Sequence, residues 1–571
     1  VFKYASSKMK TEEEEAAQRT SEEEDQGSKN EKSSQKNARD AEANEALTGL
    51  LRATELQKKT AKRVIKAEVE RGQEITAPVK VKAETKKLAV NQGLGVFKKR
   101  MADAGFDEKK HQVAGVRWCL LNEHHPEPPY GVRGGLVADE MGLGKTNTMI
   151  GIVMANVVSR TLIVVPPALL DQWRRALLVF GLDVLVWHGE EKRAVSVERL
   201  SGASVVLTTY GGITEGVRGR RELMELQWGR VVFDEAHHLR NKNTKKYAGA
   251  RELKADYRWL VTGTPIQNGV RDFYSLCDCI GLPPVYYRER DNLKQLAAYF
   301  ILRRTKAEVG IEYPEAVFET AVVDWESEEE RGLALDIHRS LRFCHVGERG
   351  GIVELGGELN HLGLMIRSRQ VCVYPGLVKK MVDDLYVDEG DDGGEGEGEG
   401  RVVVDRALSG CSKLNAVVET IKKNGAGAGV EGGEEVAKKI VFCHFRQEID
   451  EMMARLESEG VRSVAIDGRT SQAQKETILR GSDAEVLVLQ IQTCCEGLNL
   501  QEYSQVYFVS PHWNPAVEDQ AVGRCHRMGQ TKQVKVFRFQ MAAFNQDECS
   551  INIENYVAAV QEEKKEIATA I

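Results

Sequence analysis

The sequence predicts an α/β fold of two doubly wound parallel-sheet lobes, with helical insertions and a disordered charged N-terminal tail. Three observations predict it. Short apolar runs of strand length alternate with amphipathic helical stretches in two separate blocks, the pattern of parallel sheets with crossover helices. A polar, glycine-rich interval divides the blocks. The first block also carries DEMGLGKT, Asp139 to Thr146, between the apolar runs GGLVA and MIGIVM. That stretch reads as a buried strand, a tight glycine loop and a helix beginning near Lys145. Gly142 and Gly144 let backbone N–H groups turn towards one point, and the helix N-terminus adds partial positive charge. Lys145 then reaches β- and γ-phosphates, and Thr146 holds Mg²⁺. Asp139 stands where the full phosphate-loop pattern has its first glycine.

With 571 residues, the chain is long enough for several domains. The longest apolar region, 150–170, is broken by Asn156, Ser159, Arg160 and two prolines, so it does not read as a membrane span. The first residue is Val1, and the tail that follows has no apolar signal-peptide core. Eleven scattered cysteines with no Cys-x-x-Cys pair argue against a disulfide framework or a zinc site, and point to a reducing compartment. The formal charge is −7, yet the acidic run Asp388 to Gly400 carries seven acids and no base. Net charge therefore does not exclude nucleic acid; its distribution decides.

In chain order, residues 1–95 form a charged extension, disordered at first, with a helix plausible over 41–71. The first lobe spans 106–323. Its helix KKHQVAGVRWCL carries Gln112, whose amide can both donate to and accept from an adenine edge. Strands follow at 160–167, 183–187 and 204–210; the last ends in Thr208, Thr209 and Tyr210, hydroxyls suited to phosphate oxygens. LLDQWRRALLVF reads as an amphipathic helix with Gln172 and Trp173 at its start. In GRVVFDEAHHLRN, Asp234 and Glu235 stand just past a strand, at the edge where parallel sheets bind ligands. Asp234 can hold Mg²⁺ through its water shell, and Glu235 can orient the attacking water. YRWLVTGTPIQN is a further strand; its Thr262 and Thr264 are placed to link the nucleotide site to a neighbouring surface.

Residues 324–411 break the pattern as a helical protrusion and linker. Ser327 followed by Glu330 is a helix-capping signal, and 388–400 is an unfolded acidic loop. A second lobe spans 412–545, with strands at 439–443, 463–466, 485–489 and 505–509 and a final VKVFRF. A second flexible insertion covers 425–435, and a C-terminal helix lies within 546–571. Arg524 and Arg527 are expected on one face of a helix, where a guanidinium pair suits a polyphosphate.

The ordered set DEMGLGKT, LIVVPPALLDQW, VVLTTY, DEAHHLRN, LVTGTPIQN, FILRRTK, RSRQVCVYPGL, EGLNL and HWNPAVEDQAVGRCHRMGQ resembles the SWI/SNF-type ATPases of helicase superfamily two. The resemblance covers roughly residues 106–545. Its wording looks closest to the branch of the helicase-like transcription factor and post-replication repair proteins, without that branch's RING module. It implies two RecA-like lobes and ATP with Mg²⁺. Gln112, Asp139, Gly142, Leu143, Gly144, Lys145, Thr146 and Gln520 would bind the nucleotide. Lys145, Asp234 and Glu235 would be catalytic, with Thr146 and Asp234 on the metal. Arg524 and Arg527 would be arginine fingers, worth roughly 10³ to 10⁵ in turnover in such enzymes. Duplex DNA, whether bare, nucleosomal or bearing proteins, would run over Gln172, Trp173, Thr208, Thr209, Tyr210, Asn499 and Trp513, through sequence-blind backbone contacts. The implied function is duplex-DNA translocation in chromatin remodelling, repair or transcription, in the nucleus.

Two departures bear on coupling. Thr493, Cys494 and Cys495 stand where the family has Ala-Gly-Gly, and Lys475 stands where it has Arg. Two other readings follow: a strand-separating helicase, and a DNA-binding scaffold with weakened ATPase coupling.

Overall fold

The computed structural model describes residues 77–569, apart from 217–220, 268, 290–291, 312–313, 340, 342, 347–350, 355–360, 388–396, 427–436, 482, 495–497, 499, 528 and 545–550. The expected tail disorder, the helix over 41–71, most of the acidic run and most of the second insertion lie outside the described residues. The described residues before Tyr313 form one compact unit, and those from Tyr313 to Glu563 form another.

The first unit opens with helices α1 (Ala77–Asp103) and α2 (Lys110–Glu123). It continues through β1 (Gly134–Val137), α3 (Lys145–Ala155), β2 (Thr161–Val165), α4 (Leu170–Val179) and β3 (Val184–Trp187). Then come β4 (Val205–Thr209), α5 (Tyr210–Gly216), β5 (Gln227–Asp234), α6 (Lys245–Glu252), β6 (Lys254–Val261) and β7 (Ile301–Leu302). The strands form one seven-stranded sheet in the order β3-β4-β2-β5-β6-β1-β7. Every pairing is parallel. The C-terminal ends of β1, β2, β4, β5 and β6 therefore share one edge.

Strand alternation divides the apolar residues between two faces. Leu136, Val164, Val206, Phe233 and Leu260 enter one core, while Val137, Val165, Leu207, Val232 and Val261 enter the other. The second face is covered partly by α1, through Val90, Phe97 and Met101. Burying a side chain such as Phe97 contributes about 1.5 to 3 kcal/mol, so α1 belongs to the folded unit. This moves its start well before the expected Phe106.

A buried ion pair ties α2 to the sheet. Arg230 of β5 donates through Nε and Nη2 to the two carboxylate oxygens of Glu123, both at 2.7 Å. Trp259 Nε1 adds a bond to Glu123 Oε1 at 2.8 Å, and Asn156 Nδ2 one to Oε2 at 2.7 Å.

The second unit contains β8 (Val317–Val323), α7 (Glu328–Arg339) and an antiparallel hairpin of β9 (Phe343–Val346) and β10 (Gly351–Glu354). Helices α8 (His361–Val373), α9 (Lys379–Val387), α10 (Glu397–Ser409) and α11 (Ser412–Ala426) follow. The second sheet is laid down by β11 (Lys438–Cys443), β12 (Ser463–Ile466), β13 (Val486–Gln490), β14 (Tyr503–Phe508) and β15 (Lys535–Met541). The helices α12 (Arg446–Ser458), α13 (Gln472–Gly481), α14 (Pro515–Val522) and α15 (Ile553–Thr569) are interleaved with them or close the chain. The sheet is six-stranded, in the order β12-β13-β11-β14-β15-β8, and all its pairings are parallel.

Two boundaries differ from expectation. β8, assigned to the first lobe by a boundary at 323, runs beside β15 over its whole length, from Val317 opposite Lys535 to Val323 opposite Met541. Its sequence lies before the polar interval, but its hydrogen-bonding partner lies after it. Helix α10 begins at Glu397, inside the stretch expected to be an unfolded acidic loop. The cap at Ser327 is present: its Oγ accepts the Glu330 N–H at 3.1 Å. Among the described residues no helix is long and apolar enough to cross a membrane.

Replacing Glu123 with Gln leaves Arg230 buried beside a neutral partner. The first unit should lose about 3 to 5 kcal/mol, measured by urea denaturation. A loss below about 1 kcal/mol would mean that the pair contributes no more than a surface bridge.

Candidate nucleotide site of the first unit

The loop after β1 has the conformation that its glycines permit. Gly142 and Gly144 have φ of 91° and 81°, and α3 starts directly after Gly144. A Cβ built on Gly144 would meet Gln112 Nε2 at 2.3 Å, so the amide of α2 lies against the loop. Gln112 is buried, and its Oε1 has no hydrogen-bond partner. That is an acceptor waiting for a donor such as an exocyclic amine. Lys145 Nζ donates to the Asp139 carbonyl at 2.9 Å.

Asp139 itself has another task. Its carboxylate takes Nε of Arg304 at 3.0 Å, and Nη2 of the same guanidinium on its other oxygen. Asp139 was expected to contact nucleotide; its carboxylate is engaged by Arg304, because a buried carboxylate needs a counter-charge. The Leu143 side chain is buried too, and its carbonyl accepts His111 Nε2 at 3.1 Å. Leu143 shapes the loop rather than offering a side chain to a ligand.

Residues after β7 run alongside the same loop. Ala138 N–H donates to Leu302 O at 2.7 Å, Glu140 N–H to Arg304 O at 2.9 Å, and Lys306 N–H to Glu140 Oε2 at 2.8 Å. The run FILRRTK was legible as a motif, but its role was not. Paired arginines after a short apolar run were the available signal.

At the C-terminal end of β5, Asp234 is buried and held by two N–H donors. Trp173 Nε1 donates to Oδ2 at 2.7 Å, and the Glu235 amide to Oδ1 at 3.0 Å. Burial first, and then the neighbouring Glu235 charge, push its carboxyl up to about 6. The Lys145 charge acts the other way without offsetting burial. A buried carboxylate pair of this kind suits a divalent cation, and each Asp234 oxygen keeps a lone pair for one or for its water. Glu235 adopts φ of 48° without being glycine. A left-handed conformation of this kind costs roughly 1 to 3 kcal/mol and clusters at functional sites. Glu235 Oε2 lies 3.2 Å from His237 Nδ1, which is 3.4 Å from Thr262 Oγ1. Thr262 Oγ1 in turn accepts the Thr264 N–H at 3.2 Å. This chain joins the ends of β5 and β6, and His237 is a member that sequence reasoning did not single out. Gly263 passes close to the loop: a Cβ there would lie 3.1 Å from Lys145 Nζ.

The expected DNA-facing residues divide. Gln172 is exposed on the first turn of α4. Trp173, Thr208, Thr209 and Tyr210, also expected on a DNA track, are buried. Thr208 Oγ1 donates to Trp187 O at 2.8 Å, Thr209 Oγ1 is 3.2 Å from His188 Nδ1, and Tyr210 OH donates to Asp234 O at 2.7 Å. β4 lies inside a parallel sheet covered on both faces, so hydroxyls at its end turn to internal acceptors.

In the second unit, α14 ends at Val522, and Arg524 and Arg527 follow in turns rather than on the expected helix. They remain electrostatically close: burial, and then the charge of Arg524, lower the pKa of Arg527. Gln520 is buried within α14. Trp513 is half-buried, edge-on to Tyr556 at 6.2 Å. Asn499 lies outside the described residues, as do Cys495 and the side chain of Cys494.

A glycine phosphate loop before a helix, with an Asp-Glu pair at the same sheet edge, defines a nucleoside-triphosphate-binding unit of the phosphate-loop class. Comparison with known proteins narrows this. Residues 111–290 match the SNF2-related domain, and residues 415–529 match the helicase conserved C-terminal domain. The chain belongs to the SWI/SNF-type, helicase-like ATPases. It is 26% identical to a probable global transactivator of Orgyia pseudotsugata multicapsid polyhedrosis virus, over 80% of this chain and 89% of that protein. It is also 26% identical to DNA repair protein RAD5A of Arabidopsis thaliana, over 73% of this chain and 57% of that protein. Other relatives are longer: the chain spans 42% of an uncharacterized ATP-dependent helicase of Mycoplasma genitalium. A solved SWI2/SNF2 ATPase core of Sulfolobus solfataricus, in complex with dsDNA, aligns at 21% identity and a TM-score of 0.33, over 81% of this chain and 97% of that one.

Because its carboxylate aims the loop through Arg304 and does not face a ligand, Asp139→Asn should lose stability in urea as Glu123→Gln does, but should weaken binding of a fluorescent ATP analogue less than Gly144→Ala. Gly144→Ala should weaken it tenfold or more, since a side chain there meets both positive φ and Gln112. Equal losses in the two variants would return Asp139 to the ligand shell.

Proposed function

We propose that this chain is a DNA-stimulated ATPase that moves along duplex DNA and acts in chromatin remodelling, repair or transcription. The observation that carries the reading is the shared sheet edge of the Lys145 loop and the Asp234–Glu235 pair, with β6 running between their strands. The relatives' names in DNA repair support DNA as the partner, and a nuclear site of action goes with the same reading.

In this reading Gln112 takes the adenine edge, and the amides around Gly142 and Gly144 take phosphate oxygens beside Lys145. Thr146 and Asp234 would hold Mg²⁺, which would supply positive charge beside the phosphates. Glu235 orients the attacking water and accepts its proton, with His237 Nδ1 3.2 Å from its carboxylate. Arg524 and Arg527 would serve as arginine fingers, and Gln520 as a further nucleotide contact. Gln172, Asn499 and Trp513 take the DNA backbone, so binding is salt-sensitive and nearly sequence-blind.

ATP hydrolysis, measured with and without duplex DNA, tests the reading. The wild type should be faster with duplex, Lys145→Ala should be inactive, and Arg527→Ala should lose roughly 10³-fold or more in turnover. Equal wild-type rates with and without DNA would sink DNA stimulation. A triplex-displacement assay should show movement, while a forked duplex should not be unwound; clear strand release would favour a strand-separating helicase instead.

A further inference from the structure

The two aromatic residues displaced from the expected DNA track both end on Asp234. Trp173 holds its side chain and Tyr210 its main-chain carbonyl, each through a 2.7 Å bond. They arrive from different loops of the same sheet edge, one beyond β2 and the other at the end of β4. Each is also attached to a polar surface. Trp173 is flanked on α4 by exposed Gln172, Arg174 and Arg175. The Tyr210 ring lies 5.0 Å from the His238 ring, and the Lys246 ammonium lies 5.9 Å from the Tyr210 ring centre.

We propose that Trp173 and Tyr210 are positioning residues through which occupancy of the α4 surface by DNA sets the Asp234 carboxylate for Mg²⁺ binding and turnover. The proposal rests on the DNA-stimulated reading above and names the device that carries the stimulation. Gln172 and Trp173 are successive residues of one helical turn, so a shift of the helix start towards a DNA backbone moves the indole N–H with it. A displacement of about 1 Å in a group that orients reacting atoms is worth roughly 100-fold in rate. The competing account is that two buried aromatics have merely found acceptors for their polar tips. It gives the tips no reason to converge on the two ends of one metal-binding residue, and it predicts no effect on DNA stimulation.

The test uses Trp173→Phe and Tyr210→Phe in the full chain, each removing one donor while keeping a ring. Duplex affinity is read by fluorescence anisotropy, ATPase rate with and without duplex, and Mn²⁺ affinity of the ADP complex by electron paramagnetic resonance. Melting temperature checks folding. Duplex affinity should stay within about twofold, while the stimulation ratio falls about tenfold in both variants. Mn²⁺ affinity should fall severalfold in Trp173→Phe. Should that variant not fold, Tyr210→Phe, which loses one oxygen and no ring, decides through its stimulation ratio. A folded variant with the wild-type ratio and Mn²⁺ affinity overturns the proposal. So does a variant whose duplex affinity collapses while its ratio is kept, because the residues would then be DNA contacts. A wild type indifferent to DNA overturns the functional reading itself, and the coupling with it; unchanged Mn²⁺ affinity in Trp173→Phe overturns the positioning role alone.

Discussion

A buried negative charge is the constraint around which the first unit is arranged. Asp234 is buried and has Glu235 as its chain neighbour, so its ionised form depends on directed N–H groups and on the Lys145 charge. The sheet order supplies the donors. With β2 beside β5, the loop beyond β2 can deliver the Trp173 indole to the Asp234 carboxylate. With β6 between β5 and β1, the Lys145 loop and the Asp234 carboxylate lie on either side of Thr262 and Gly263. The parallel arrangement is therefore the reason that residues distant in sequence can meet at one edge.

A second buried carboxylate plays a different part. Asp139 follows the strand that leads into the phosphate loop, and the bidentate contact with Arg304 fixes its direction. Arg304 also reaches the His111 carbonyl at 2.5 Å. One guanidinium thus joins the phosphate loop to the helix that presents Gln112. Glycine at this position would need no counter-ion. An acid there is tolerated because the segment after β7 returns a base to it.

Much of this was legible because the motifs carry their own geometry. A strand, two positive-φ glycines and a helix form the loop over Asp139 to Thr146 whatever surrounds it, and helix α3 does begin at Lys145. The short apolar runs likewise marked β2, β4, β5 and β12 to within a few residues. What local pattern could not reveal was direction. Thr208, Thr209 and Tyr210 look like surface hydroxyls in isolation, yet all five residues of β4 are buried because the sheet is covered on both faces. Trp173 is the apolar member of an amphipathic turn, and only the neighbouring carboxylate shows what its N–H is for. The helix expected around Arg524 stops at Val522 and gives way to turns. β8 was missed as part of the second sheet because pairing is non-local, and nothing in VFETAVV names VKVFRFQ as its neighbour.

That last pairing has a consequence for how the protein is made. Strand β8 leaves the ribosome early, but the strand that hydrogen-bonds it runs from Lys535 to Met541. At cellular elongation rates the nascent chain waits roughly 10 to 40 s between the two. Throughout that interval β8 lacks its one sheet neighbour, and once β14 is made it too presents an unpaired edge; such edges are templates for mispairing with other chains. A ribosome stalled between Glu312 and Lys535 would release a polypeptide that holds every strand of the first sheet but lacks a strand of the second. Such fragments are expected to depend on chaperones, whereas the completed chain is not.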